Sequence, residues 1–361
     1  MLNICPILAH TRRSFIMKHE NMASEINLPP VIFGTSCLGN LYQELPYETK
    51  LKIVANIIRE TGGNAVFDTA GKYGAGLALE VIGRCLKDLN IPAGNIVISN
   101  KLGWLRIPLK TQEPTFEPGA WKGLKHDAVQ KISYDGILEC HEQGCGLLGR
   151  DYKVDLVSVH DPDEYLAAAK DPENRKKRLS DIVGAYKALH ELKEKGEVKA
   201  VGIGSKDWRV IRELDVLVKF DWVMLAVSFT IMQHPPELIS FIDNLNSRNI
   251  SIINSAVFHA GFLTGGRYFD YRELSPSSSE DAPLFHWREK FNGICMKHSV
   301  TPSTACVKFA MSAPGIVSIA LNTSNPERVR ENAIAANMEI SSAFWNDMKT
   351  HKLISRDYPY L

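Results

Sequence analysis

Eight short runs of β-branched and other apolar residues recur along the chain, with segments of helical spacing between them. The runs are VIFGTSCLG (31–39), NAVFDTA (64–70), NIVISNKLG (95–103), KVDLVSVHDP (153–162), KAVGIGS (199–205), DWVMLAVSF (221–229), NISIINSAV (249–257) and IVSIALNTS (316–324). This alternation is typical of βα units around a parallel sheet. Eight units favour a single closed (β/α)8 TIM barrel over a doubly wound sheet, and no G-x-G-x-x-G follows the first run.

The segments between the runs contain clear helix signals. The strongest helix is predicted over 179–198, with Ser180 as its N-cap and Gly196 at its end. Two further helices are predicted over 205–220 and 325–338. We therefore expect one barrel domain over residues 29–361, preceded by an N-terminal extension, residues 1–28, that need not be ordered.

The charge balance bears on the partners of the chain. Lys and Arg total 42 and Asp and Glu total 41, so no basic field is present for nucleic acid or an anionic membrane. No apolar stretch approaches the roughly 18 residues of a membrane span. The basic residues at the N-terminus follow its short apolar run, which is the wrong order for a secretory signal. We expect a cytoplasmic protein that binds a small molecule, and a homo-oligomer is left open.

The seven cysteines are odd in number, scattered, and form no C-x-x-C pair, as expected of reduced thiols. The segment CHEQGC offers Cys140, His141 and Cys145 as metal ligands, but no second pair completes a tetrahedral set. We predict neither a disulfide framework nor a metal site.

Two segments are longer than ordinary loops, 104–128 after the third run and 259–283 after the seventh. Both follow carboxyl ends of strands, where the βα loops of a barrel build the substrate pocket. A solvated surface excursion explains the second segment nearly as well. An aromatic side chain near a strand end can equally be barrel packing. With that alternative open, we predict four residues as pocket walls: Trp104, Trp121, Phe258 and His259.

Four titratable side chains fall at the ends of consecutive strands. Asp68 ends the second strand, Tyr73 lies just beyond it, Lys101 ends the third and His160 ends the fourth. Taken alone, each has a structural explanation, such as a helix cap or a solvated strand end. Together they would face the end of the barrel at which barrel enzymes work.

The chemistry of these four groups is complementary. A phenol has a pKa of about 10, and an adjacent ammonium such as that of Lys101 favours the phenolate and lowers this pKa. Asp68 would hold the lysine charged, and His160 could donate a hydrogen bond to a substrate oxygen. The set lacks a nucleophile, so it suits hydride transfer, in which a proton is exchanged at oxygen while a cofactor carries the hydride.

From about residue 29 to 340 the chain resembles the aldo-keto reductase superfamily. The D-x4-Y spacing, GAGLALE (74–80) and HDPD (160–163) are most similar to the branch of L-fucose, D-threo-aldose and pyridoxal dehydrogenases. The resemblance implies a (β/α)8 barrel and an NAD(P)-dependent oxidoreductase that oxidises an aldose such as L-fucose to a lactone. It places the catalytic tetrad on Asp68, Tyr73, Lys101 and His160.

The resemblance also assigns the cofactor site. NTSNPERVREN (322–332) follows the eighth strand and opens a helix, a region that barrels use for phosphate groups. It resembles the family's adenine and ribose phosphate segment, with Arg328 at the arginine position. Asn322 stands where the family has a phosphate-binding lysine, so we expect NAD, or both NAD and NADP, with NAD favoured. A plain capped helix, with Asn325 as its N-cap, is the alternative.

Two further cofactor contacts depart from the pattern of the family. Ser205 stands at the family's Ser-Asn position beside the nicotinamide amide, and Asn254 stands where many members stack an aromatic ring. The complete set of predicted cofactor contacts is Ser205, Asn254, Asn322, Thr323, Ser324, Arg328, Glu331 and Asn332.

Other activities are left open. One is a carbonyl reductase for non-sugar aldehydes such as pyridoxal, and another is a barrel that binds the cofactor for regulation without turnover. A metal-dependent hydrolase with His160, Asp161 and Asp163 as ligands is disfavoured, because no H-x-H follows the first strand.

Overall fold

Eight parallel strands close into a barrel in the computed structural model, which describes residues 27–270 and 272–361. The predicted TIM barrel is confirmed, because each of the eight predicted runs contributes one strand. Of the predicted extension over 1–28, residues 1–26 lie outside the described residues. The strands are β1 (Val31–Gly34), β2 (Ala65–Ala70), β3 (Ile96–Leu102), β4 (Leu156–His160), β5 (Ala200–Ser205), β6 (Trp222–Ala226), β7 (Ser251–Ser255) and β8 (Ile316–Leu321).

Neighbouring strands follow the chain order around the barrel, and β8 closes on β1 with Ile32 opposite Ala320. Helices connect the strands, as a parallel sheet requires. In the described residues they are α1 (Tyr47–Glu60), α2 (Leu77–Asp88), α3 (Tyr134–Leu148), α4 (Pro162–Ala167), α5 (Pro172–Glu194), α6 (Trp208–Leu214), α7 (Pro236–Ser247), α8 (Ala282–Lys297), α9 (Pro302–Ala310), α10 (Val329–Ala335) and α11 (Ser342–Thr350).

The starts of the helices follow from their capping residues. Helix α5 begins before the predicted Ser180, because Asp171 accepts a hydrogen bond from the amide of Asn174 and Pro172 occupies the first helical position. The predicted cap at Asn325 is confirmed: its side chain accepts a hydrogen bond from the amide of Glu327 and starts the short 3-10 turn before α10.

The inward faces of the strands divide the barrel into an apolar lower half and a polar upper half. Trp222 is fully buried and fills the interior. Gly202 on the neighbouring strand β5 leaves the space for the Trp222 ring, because a Cβ at position 202 would lie 2.2 Å from an atom of that ring. The other members of this inner cluster are Ile32, Val66, Leu156, Ala200, Met224, Ile253 and Ala320. Since side chains alternate between faces with period two, Asp68 follows Val66 inward, and His160 follows Leu156 inward on β4.

The two long segments contain more structure than loops. The first forms an antiparallel hairpin from Trp104–Pro108 and His126–Gln130. The second contains a 3-10 turn at Phe262–Thr264 and a small hairpin of Tyr268–Phe269 with Arg272–Glu273.

Helix lengths and thiols complete the description of the fold. Among the described helices, none combines the length and the apolar composition that a membrane crossing requires. The six cysteines of the described ranges are free thiols, and five of them are buried.

Candidate active site

A cavity of about 590 Å³ opens at the carboxyl ends of the barrel strands. Met224 lines its floor, and Trp222 fills the barrel beneath. The carboxyl ends of β2, β3 and β4 with the loops after them, and Lys206 after β5, form what we call the substrate side. It includes all four predicted catalytic residues: Asp68, Tyr73, Lys101 and His160. The loop after β8 and the start of α10 form what we call the cofactor side, because six of the predicted cofactor contacts lie in its wall: Asn322, Thr323, Ser324, Arg328, Glu331 and Asn332.

Asp68, Lys101 and Tyr73 form a chain of polar contacts on the substrate side. The Lys101 ammonium donates to a carboxylate oxygen of Asp68, and Nζ of Lys101 lies 3.2 Å from Oη of Tyr73. The other carboxylate oxygen of Asp68 accepts a hydrogen bond from the Ser99 hydroxyl at 3.2 Å. Asp68 and Lys101 are both buried, so their ion pair is shielded from water and holds the ammonium toward the phenol.

Burial and charge act in opposite directions on Tyr73 and Lys101. Burial raises the pKa of Tyr73, and Lys101 only partly offsets this effect. In the barrel alone, the pKa of the Tyr73 phenol is therefore raised and not lowered as expected, because the effect of desolvation outweighs that of the ammonium. For Lys101, burial lowers the pKa, but Asp68 and Tyr73 outweigh it and the pKa is raised. Lys101 thus stays charged beside a protonated phenol.

His160 lies beside the Tyr73 phenol as a neutral imidazole. The two rings meet edge to face with centroids 5.6 Å apart. Burial, with the positive charges of Lys72 and Lys101, holds the pKa of His160 well below its usual value. Its Nδ1 is buried and has no hydrogen-bond partner within the described part of the chain. A neutral imidazole here can donate a hydrogen bond to a substrate oxygen without adding charge.

Two glycines explain how the chain holds Tyr73 in place. Gly74 has φ +62°, and a Cβ there would lie 2.3 Å from the carbonyl oxygen of Gly39. A Cβ at Gly39 would in turn lie 2.8 Å from the carbonyl group of Tyr73. The loops after β1 and β2 can therefore touch backbone to backbone only because both positions lack a side chain.

The residues on the cofactor side fit an adenine dinucleotide by their chemistry. Arg328 offers a guanidinium for a phosphate, and Glu331 and Asn332 offer polar groups beside it in the same wall. The amide of Asn322 donates a hydrogen bond to the Ser36 hydroxyl at 2.8 Å. Two elements that the sequence did not single out also contribute to the wall, namely the start of α9 at Thr301, Pro302 and Ser303, and the strand end at Ser255, Ala256 and Val257.

Of the two predicted nicotinamide contacts, Ser205 lines the cavity and Asn254 does not. Ile253 faces into the barrel, so Asn254 faces outward to the helices. Its amide donates to the carbonyl oxygens of Phe229 and Ala310 at 2.8 and 3.0 Å. The prediction for Asn254 is therefore corrected to a buried structural role, and strand alternation would have favoured Ser255.

His259 is also not in the cavity wall. It is fully buried and stacked on Phe269 with centroids 4.5 Å apart. One ring nitrogen lies 2.9 Å from the Thr230 hydroxyl, and the other lies 2.9 Å from a carboxylate oxygen of Asp270. The predicted substrate contact is corrected, because these groups occupy both nitrogens. Its neighbour Phe258 does line the cavity.

Of the two predicted tryptophans, Trp121 lines the cavity and Trp104 lies outside its wall. The Trp121 ring packs on Tyr73 with centroids 5.9 Å apart. Trp104 begins the hairpin and packs on Phe116, with 5.8 Å between the ring centroids. The prediction for Trp104 is corrected, because it packs into an aromatic cluster with Phe116 and Trp121, of which only Trp121 lines the cavity.

A buried lysine at this site is not among the residues predicted from the sequence. Lys72, directly before Tyr73, lines the cavity and is only 2% exposed. Its Nζ lies 2.6 Å from Glu117, 3.0 Å from Glu164 and 3.2 Å from Asp161. The sequence contained one signal for it, because Lys72 lies only two residues after the buried strand β2. A lysine buried at such a position needs carboxylate partners for its ammonium group.

Comparison with known proteins finds relatives that match most of this chain. The sequence is 25% identical to pyridoxal 4-dehydrogenase of Microbacterium luteolum over 335 residues, 89% of this chain and 93% of that protein. It is 25% identical to D-threo-aldose 1-dehydrogenase of a Pseudomonas species over 353 residues, 92% of this chain and 96% of that protein. The solved glycerol dehydrogenase of Gluconobacter oxydans has the same fold, with a TM-score of 0.67, 16% identity, and coverage of 94% of this chain and 97% of that one.

The chain also matches a whole protein family. The profile of the Aldo/keto reductase family covers residues 30–352, which includes every strand of the barrel and both sides of the cavity. The chain therefore belongs to the aldo/keto reductase family of oxidoreductases.

Proposed function

We propose that this protein transfers a hydride between a nicotinamide cofactor and the hydroxyl or carbonyl group of a polar small molecule, with an aldose as the leading substrate class. The contact of 3.2 Å between Tyr73 and Lys101 in the cavity wall is the observation that carries this proposal. Enzymes of the family use nicotinamide cofactors, and the relatives named above include a dehydrogenase named for D-threo-aldoses.

Tyr73 is assigned the proton transfer. In oxidation, its phenolate accepts the proton of the substrate hydroxyl, and in reduction its phenol donates a proton to the carbonyl oxygen. The Lys101 ammonium stabilises the phenolate, and Asp68 keeps this ammonium charged and oriented. His160, held neutral, donates a hydrogen bond to the same substrate oxygen. For an aldose oxidised at its anomeric carbon, the product is a lactone.

The cofactor is assigned to the side of the cavity that carries Arg328. When bound, the nicotinamide supplies the hydride acceptor or donor. Arg328 pairs with a phosphate, Glu331 and Asn332 contact the adenine, and Ser205 contacts the nicotinamide amide. Asn322 provides no positive charge for an additional phosphate, which supports NAD as the preferred cofactor, with NADP as the second choice.

A second substrate class is supported by the similarity to pyridoxal 4-dehydrogenase. Pyridoxal carries an aldehyde that forms a hemiacetal, and oxidation of that hemiacetal also gives a lactone. The same residues would act on it, with the Trp121 ring available to stack on the pyridine ring.

The test is the absorbance of reduced nicotinamide while the protein is offered NAD or NADP with a panel of substrates. The panel contains L-fucose, L-galactose, D-arabinose and pyridoxal, and each is run beside Tyr73→Phe. We expect turnover that falls by about 10² to 10⁴ in the variant, because the ring remains and only the hydroxyl group that exchanges the proton is lost.

Cofactor binding by the variant is the control, and it should equal that of the unchanged protein. Turnover of equal rate in Tyr73→Phe would contradict the role of the phenol. Cofactor binding without turnover of any member of the panel would favour a barrel that binds the cofactor for regulation.

A further inference from the structure

A second network of charges surrounds the substrate side of the cavity, separate from the Asp68–Lys101 pair. Lys72 is at its centre, and Glu117, Asp161 and Glu164 are its three carboxylate partners. Lys206 joins the network through Glu164 and Asp161. These residues come from the segments after β2, β3, β4 and β5, so four separate parts of the chain meet in one network of charges.

Glu117 makes the shortest of the Lys72 contacts, and its position is fixed on both sides. One carboxylate oxygen lies 2.6 Å from Nζ of Lys72, and the other accepts a hydrogen bond from the Trp121 indole at 2.7 Å. The segment around it is held to the loop after β1, because the Tyr42 amide donates to Ala120 at 2.7 Å. Glu117 therefore belongs to the cavity wall and not to a mobile excursion.

The charges on the substrate side leave little for an anion to bind. Each ammonium group there already contacts at least one carboxylate, and carboxylates exceed ammonium groups by one. The ammonium groups are those of Lys72, Lys101 and Lys206, and the carboxylates are those of Asp68, Glu117, Asp161 and Glu164. Glu164 does not line the cavity, but its charge adds to that of the three carboxylates that do. An anionic substrate would therefore meet a net negative charge, whereas hydroxyl groups can donate to the carboxylate oxygens of the wall.

We propose that Glu117 determines the substrate class of this site: by pairing with Lys72 it withdraws that cation from ligand binding, and the cavity selects neutral hydroxylated substrates over anionic ones. The inference rests on the proposed function and narrows it. It gives the long segment after β3 a specific role, since this segment supplies the carboxylate that completes the selection.

The test compares a neutral sugar with its phosphate, L-galactose with L-galactose 6-phosphate, because a phosphate at carbon 6 leaves free the hydroxyl that closes the pyranose ring. We expect kcat/KM to be at least about tenfold lower for the phosphate. Glu117→Gln keeps the shape and removes one negative charge. We expect it to raise the ratio of phosphate to neutral kcat/KM by about tenfold.

Two further variants separate charge from structure. Glu117→Asp keeps the charge and should keep the selectivity. Glu113→Gln removes a carboxylate from an exposed position in the same segment and should leave both rates unchanged. Equal use of the two substrates by the unchanged protein, or an unchanged ratio in Glu117→Gln, would overturn the inference.

Binding distinguishes this inference from the proposed function. Calorimetric titration of the cofactor-bound protein with L-galactose and with its 6-phosphate gives two dissociation constants without any turnover. Tighter binding of the neutral sugar, with the difference reduced in Glu117→Gln, supports the inference even if catalysis is absent. Equal or tighter binding of the phosphate, or no binding of either sugar, overturns it.

Discussion

Lys72 and Tyr73 are adjacent in the chain, but their side chains belong to different charge networks. The Lys72 ammonium contacts three carboxylates, whereas the Tyr73 phenol contacts the Lys101 ammonium at 3.2 Å. Both positive charges help to keep His160 neutral. Lys101 thus contacts the phenol, whereas Lys72 contacts only carboxylates among the described charged groups around it. This division leads to separate predictions for the two networks.

The pH dependence of oxidation should depend on Lys101. Oxidation requires the Tyr73 phenolate, so its rate should rise with pH as the phenol deprotonates. Burial raises the pKa of Tyr73, and Lys101 lowers it. Lys101→Met removes the ammonium that lowers the Tyr73 pKa. The pH at which kcat reaches half of its maximum should therefore rise by more than about one unit. Lys110→Met, at an exposed position, is the control, and an unchanged half-maximum pH in Lys101→Met would contradict this role.

Asp68→Asn should destabilise the protein strongly. It leaves the Lys101 ammonium buried without its counter-charge, which costs about 3–5 kcal/mol of the free energy of unfolding. Urea unfolding measures the change. The matched control is Glu327→Gln, which removes the carboxylate from the exposed pair with Lys52 and should change the free energy of unfolding little. Similar effects of the two changes would show that the buried pair does not need its charge.

Gly74→Ala should displace the catalytic loop. Gly74 has φ +62°, and the new methyl group would meet the Gly39 carbonyl oxygen at 2.3 Å. We expect a loss of about 1–3 kcal/mol in the free energy of unfolding together with a lower kcat. Gly94→Ala is the control, because no atom lies within 4 Å of the added Cβ. Urea unfolding and kcat of both variants check the prediction, and a neutral result for Gly74→Ala would refute the close contact.

Asn322→Lys should shift the cofactor preference toward NADP. The position lies in the same cavity wall as Arg328, so a new ammonium there can pair with the additional phosphate. We expect the dissociation constant of NADP to fall about tenfold while that of NAD changes little. Asn322→Gln controls for the longer side chain without the charge. Nicotinamide fluorescence titration gives both constants, and tighter binding in Asn322→Gln as well would rule out a charge effect.

The barrel and the central part of the site follow from local patterns in the sequence. Each strand is a short apolar run, and period-two alternation inward from Val66 places Asp68 in the cavity. The structure brings Tyr73, Lys101 and His160 to the same cavity wall because parallel strands end at one face of the barrel. The catalytic role assigned to them remains a prediction.

Contacts between distant segments were beyond the reach of sequence patterns. Glu117 lies 45 residues after Lys72 and Asp161 lies 89 residues after it, and no local pattern in the sequence joins them. Trp104 and His259 were predicted in the cavity because they follow strands, but the hairpin and the Asp270 carboxylate hold them elsewhere. Asn254 is different, because the alternation of side chains along β7 alone predicts that it faces the helices outside the barrel.

Trp222 makes the barrel a cup and not a tube. Its buried ring fills the interior below Met224, so any ligand of the cavity enters and leaves through the rim formed by the loops. Two ligands bound together therefore share a single opening, and neither can be exchanged from the opposite end of the barrel. This restriction comes from an indole ring that lies outside the cavity wall.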